Sequence, residues 1–282
     1  MFARSYAVGV VAIVLASTGC SGDERAAPSA ADTPAQQLVI PPMDAGAASR
    51  DETAAPAATE PPPPPEPATT DEMPPDTRDP RAKSAPRQRA VLEVEAQNLE
   101  RLLVTTPATS STRPHLLKRL TAAYGELARG ASGADAAQAR KQEAAHWTTL
   151  LNDHPSTAGL DEARYYRGLA YELSGEPQRA RSSYYDLIKT SPQSKLVPYA
   201  YFAFGQMFFD DARQDPSKYA LAEQAFVEVL KYPPPANGIF AYALLRLGET
   251  ELALNQPAKA KAHFDRLRRD FPGSPATTHV PP

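Results

Sequence analysis

From residue 88 onward, apolar positions recur every three to four residues, and Pro or Gly interrupts the run at regular distances. That is the period of helices that bury one face. It predicts a capping helix over roughly 89–104, a helix pair over 115–127 and 139–155, and further pairs between about 161 and 272. Leu120, Tyr124 and Trp147 hold the apolar positions of the early pair. Between 21 and 88 no such period exists. The first twenty residues form a short apolar run behind Arg4.

Self-comparison of the helical part shows a repeat. Gly168 is followed by Tyr171, Ala180, Tyr184 and Pro192, at offsets of 3, 12, 16 and 24. Gly248 is followed by Ala260, Phe264 and Pro272 at 12, 16 and 24. Gly205 is followed by Phe208 at 3, and its Ala222, Phe226 and Pro234 keep the same internal spacing after an insertion around 214–217. In a helix hairpin the small Gly and Ala fit where the axes cross closely, since a larger side chain would push them apart. The aromatic one turn beyond each Ala fills the gap against the neighbouring helix. The late Pro stops the second helix. One such pair cannot bury both faces, so the unit implies a stack.

These residues resemble the tetratricopeptide repeat (TPR), over about 161–272. Arg167 stands where that pattern has Leu, Glu251 replaces a Tyr, and the copies are 37 and 43 residues apart where 34 is usual. The turns at His154-Pro155-Ser156, Ser191-Pro192-Gln193-Ser194 and Phe271-Pro272-Gly273-Ser274 are similar to those of periplasmic TPR lipoproteins, including the TPR component of outer-membrane-protein assembly. The stretches 196–205, 215–218 and 229–235 are similar to the TPR proteins of myxobacterial adventurous gliding motility. The resemblance implies an all-α, right-handed TPR-like solenoid of about four helix pairs.

It also implies a binding face made by the first helix of each pair. On this chain that face takes Tyr165 and Glu172 from the first copy, Tyr199, Phe202, Gln206, Phe209 and Asp210 from the second, and Tyr242 and Glu249 from the third. The set is aromatic and acidic, which suits a peptide segment with apolar and basic residues. The same aromatics could instead pack between repeats.

The N-terminus reads as an export signal. Residues 6–16 have the length of a signal-peptide core and are too few to span a bilayer. They run into Leu15-Ala16-Ser17-Thr18-Gly19-Cys20, and Cys20 is the sole cysteine. This resembles a bacterial lipobox, with Ser17 where Leu is usual. The resemblance implies cleavage before Cys20 and its acylation, enough for stable membrane anchoring. Cleavage near Ala16 would instead leave a soluble secreted protein with a spare thiol. Ser21, where an Asp would favour inner-membrane retention in enterobacterial lipoproteins, leans toward the outer membrane, facing the periplasm.

Composition then changes the picture in the middle. Fifteen of the chain's 30 Pro lie between 21 and 88, five of them consecutive at 61–65, and no aromatic residue occurs there. Such a segment cannot bury enough apolar area to offset its chain entropy, so it is expected to be a disordered spacer. As a coil it spans on the order of 45 Å. The expected organisation is a signal peptide over 1–19, a tether over 20–88, the cap and early pair over 89–157, three repeats over 158–274, and a tail over 275–282.

A net charge of −3 lacks the basic footprint of a nucleic-acid binder. The five histidines, at 115, 146, 154, 263 and 279, never fall three or four apart, as two ligands on one helical face would. No phosphate loop or nucleophile elbow occurs. No catalysis, metal, cofactor or small-molecule substrate is therefore expected. The expected partners are envelope proteins or peptide segments, with the membrane reached through Cys20. Ten residues follow Pro272, so Leu252, Phe264 and Leu267 are expected to be partly uncovered unless the tail folds over them.

Overall fold

The computed structural model describes residues 75–82 and 85–281. The export signal, Cys20 and most of the tether lie outside the described residues. Among those described there are ten α-helices, one 3₁₀ turn and no strand. The chain folds as an all-α, TPR-like solenoid of consecutive packed pairs.

After the 3₁₀ turn Pro75–Arg78, helix α1 (Arg89–Thr105) packs on α2 (Arg113–Arg129). Four hairpins follow. Helix α2 pairs with α3 (Gly133–Asp153), α4 (Leu160–Leu173) with α5 (Pro177–Thr190), α6 (Val197–Asp211) with α7 (Lys218–Val229), and α8 (Phe240–Ala253) with α9 (Pro257–Asp270). The one-turn α10 (Pro275–Thr278) folds back on α8 and α9.

The stops are chemical. Helices α3, α5 and α9 end at His154, Ser191 and Phe271, whose φ/ψ values are −132/56, −141/58 and −135/51. Each precedes a proline, whose ring disfavours helical backbone at the residue before it. Inside the hairpins, α4 closes through Gly175 at φ 80 and α8 through Asn255 at φ 57. At both turns the residue after it bonds five positions back, Glu176 to Tyr171 O and Gln256 to Glu251 O, each at 2.8 Å. This is the left-handed Schellman stop that favours Gly or Asn. Pro177 and Pro257 then open α5 and α9, where a missing N–H costs nothing.

The three repeated glycines do what their spacing predicts. A Cβ at Gly168 would lie 2.6 Å from the Tyr184 ring, one at Gly205 2.5 Å from Phe226, and one at Gly248 2.4 Å from Phe264. In each hairpin the aromatic of the second helix lies on bare backbone of the first. Tyr184 and Phe226 are fully buried and Phe264 nearly so. The early pair departs from the rule. Glu143, four residues after Ala139, faces Gly125 in the aromatic's place, its carboxylate 3.1 Å from where a Cβ would stand.

The tail does fold over the last pair. Ala276 is buried, Val280 packs on the cluster of Phe240, Leu244, Phe264 and Leu267, and Arg268 bonds Pro281 O at 2.8 Å. Phe264 and Leu267 are therefore covered, and only Leu252 of the three expected to be open is exposed.

Candidate functional site: the face of the first helices

Helices α4, α6 and α8 present the residues expected to bind a partner, and the structure divides them. Phe202 is 0% exposed and packs at 5.4 Å on Phe226. Phe209 is buried edge-on to Tyr219. Both are interior residues. The repeat pattern places them on the first-helix face, but neighbouring helices close over them. Tyr199, Gln206 and Tyr242 are half-buried, Asp210 is exposed, and Glu249 keeps a quarter of its side chain in solvent. These five form the accessible stretch on α6 and α8.

Its polar groups are partly paired. Gln206 donates to Asp210 at 3.3 Å, while its own carbonyl oxygen is buried without a hydrogen-bond partner. Glu249 accepts from Arg246 at 2.8 Å, and that guanidinium stands 5.6 Å from the Phe209 ring. Desolvation pushes the Asp210 carboxyl above its usual range, against the pull of Arg213 and Gln206. Tyr199 meets the backbone at Gly238, and burial raises its hydroxyl.

On α4 the face is already occupied. The tether expected over 20–88 gives way at its C-terminal end to a docked segment, residues 77–82. The Tyr165 hydroxyl donates to Arg78 O at 2.6 Å, and the Arg78 guanidinium pairs with Glu172. The second Glu172 oxygen accepts from the Tyr184 hydroxyl at 2.8 Å. Three positions on, the Arg81 guanidinium stands over the Tyr166 ring, 3.5 Å from its centroid, and bonds Glu143 at 2.9 Å. Between the two arginines, Asp79 is 4% exposed and bridges Arg81 at 3.1 Å and Arg129 at 3.2 Å. Arg140 holds the other Glu143 oxygen at 2.8 Å, and the indole N–H of Trp147 reaches Glu143 at 3.4 Å.

The electrostatics are self-consistent. Burial alone would lower Arg78, but Glu172, Tyr184 and Tyr165 together more than offset it and the guanidinium is held more firmly charged. Burial alone would raise Asp79, but Arg81 and Arg129 together more than offset it and the carboxyl is held below its usual range. Burial first, and Glu172 second, push the Tyr165 hydroxyl far up, so it remains a donor.

Sequence reasoning placed Tyr165 and Glu172 on this face but not the segment of the chain that meets them. The missed residues are Arg78, Asp79, Arg81, Glu143 and Asn237. Two signals existed. Four of the six Lys and Arg between 21 and 88 crowd into 78–87, and Glu143 is a charge at a core position of the repeat. Elsewhere, His146 stacks on Tyr124 at 5.6 Å, and burial lowers its pKa. His263 pairs with buried Glu251 at 2.8 Å, which accounts for an acid where the repeat has Tyr. Among the described residues, no three His, Cys, Asp or Glu side chains cluster as a metal site would need, and no helix is long and apolar enough to cross a membrane.

The tetratricopeptide-repeat family profile matches residues 162–194 and 242–274. Those segments are tetratricopeptide repeats, and they are the two hairpins with three-residue Schellman turns, α4/α5 and α8/α9. Comparison with curated proteins gives no significant match. A stack of this class typically serves as a protein–protein interaction scaffold.

Proposed function

We propose that the chain is a non-catalytic scaffold or adaptor of a bacterial envelope complex, anchored through a lipidated Cys20, most simply in the outer membrane facing the periplasm. The carrying observation is the half-open face of α6 and α8, where Tyr199, Tyr242, Gln206, Asp210 and Glu249 remain accessible beside a stretch already holding two arginines. Aromatic side chains beside carboxylates recognise basic, partly apolar segments. The tether would carry this face away from the membrane and let it search. Among envelope complexes, the likeness of 196–205 and 229–235 to gliding-motility repeat proteins favours a gliding complex. The proline turns suggest as an alternative a part in outer-membrane-protein assembly, and coordination of a peptidoglycan enzyme is a further reading.

Crosslinking and affinity capture of the full chain from the native host's envelope test the proposal, with Cys20→Ala as the comparison. A defined set of envelope proteins, with wild type in the membrane fraction and Cys20→Ala released from it, is the expected result. Capture of nothing specific would contradict the adaptor reading. Recovery of a transglycosylase or amidase whose activity rises on adding this protein would favour the enzyme-coordinator version.

A further inference from the structure

The side chains meeting residues 77–82 form a built peptide site. Each arginine has its own pocket. Glu172, Tyr165 and Tyr184 receive Arg78, while Tyr166 and Glu143 receive Arg81. A guanidinium close over a tyrosine ring that also bonds a carboxylate is arginine recognition, and lysine would not reproduce it. The main chain is also read, through Arg78 O. The segment is held by hydrogen bonds and ion pairs, whose net worth is limited by the desolvation of both partners. Only residues 82–88 connect Arg81 to α1. Over so short a link the segment experiences an effective concentration of about millimolar, so weak docking suffices to fill the site.

We propose that this is a binding site for peptides carrying two arginines three positions apart, and that the chain's own Arg78-Asp79-Pro80-Arg81 occupies it until a partner segment of the same chemistry displaces it. The site adjoins the open face of α6 and α8, so a displacing segment can extend onto Gln206 and Asp210. The inference rests on the interaction-module reading above, whose test is independent of the one that follows.

The probe is a fluorescent synthetic peptide of residues 75–82, titrated into the full chain and into Arg78→Ala/Arg81→Ala. The expected result is weak binding to wild type and about tenfold or more tighter binding to the variant, because the tethered competitor is gone. A control peptide with both arginines replaced by Ala should bind neither. If the double variant loses helical content by circular dichroism, Arg78→Ala alone carries the same comparison with a smaller gain. A folded variant that refuses the peptide would overturn the proposal and make the segment a fixed part of the fold. Equal binding to wild type and variant would overturn it too, since the peptide would then sit elsewhere. Neither outcome bears on whether the chain captures envelope proteins.

Discussion

Phe226 lies against the bare backbone of Gly205 so closely that a Cβ there would stand 2.5 Å from the ring. The ring is wholly buried and also packs on Phe202, so it has nowhere to retreat. Alanine ordinarily gains about 1 kcal/mol over glycine in a helix interior. Overpacking a filled core costs about 1–3 kcal/mol and grows with the overlap. At 2.5 Å the overlap puts that cost at the upper end, so Gly205→Ala is expected to lose about 2 kcal/mol on balance, read from urea unfolding. Combining it with Phe226→Leu should recover part of that loss, a coupling that a double-mutant cycle reads directly. A Gly205→Ala protein as stable as wild type would contradict the close-approach account.

The ion pairs around Glu143 make a second prediction. Its carboxylate is completely buried and answers both Arg81 and Arg140. Removing one partner from a buried pair is costly because the others are left unsatisfied. Glu143→Gln should destabilise the chain by about 3 kcal/mol, and amide exchange at residues 78–82 should quicken. Unchanged protection there would mean that Glu143 does not hold the segment.

Acid should release that segment. Asp79 is held below its ordinary value of 3.8 by Arg81, despite burial. Its contribution to the folded state is thus fully present above 3.8 and is lost as pH falls through the depressed value. The single tryptophan, Trp147, bonds Glu143 and stacks on Tyr166 at 6.2 Å, so its fluorescence reports the site. Its emission should stay constant from neutral to mildly acid pH and change only below the usual aspartate range. Asp79→Asn should remove that transition.

The long connection between α7 and α8 hangs on one residue. Asn237 is 3% exposed, donates to Val229 O at 3.1 Å and Tyr232 O at 2.9 Å, and accepts from the Ile239 N–H at 3.1 Å. Asn237→Ala takes the side-chain partner from Tyr232 O and the Ile239 N–H and leaves Val229 O with only the Tyr232 N–H at 3.2 Å, and should cost about 1–3 kcal/mol, with faster amide exchange confined to residues 229–240.

What could be read from the sequence follows a physical divide. Gly168, Gly205 and Gly248 with their aromatics were legible because a close helix crossing accepts only one kind of residue at each place. The proline stops at His154, Ser191 and Phe271 were legible because the restriction is local backbone sterics. Phe202 and Phe209 were placed on the correct helix face, but their burial depends on how far α7 and α8 reach over them, which periodicity does not encode. Asn237 serves a loop with no repeat counterpart. The docking of Arg78 and Arg81 was hidden by composition. A segment averaged over 68 residues looks like a spacer, although a few side chains at its end find specific buried partners far along the chain.

The central claim, that the first-helix face of α6 and α8 is the working surface, is tested most directly by repeating the envelope capture with Gln206→Lys/Asp210→Lys. Both positions are solvent-accessible, so the change reverses local charge without opening the core, unlike substitution at wholly buried Phe202. With helical content unchanged, the account predicts that the captured set is lost or sharply reduced. Capture of the same proteins at the same yield would contradict it and move the working surface off this face.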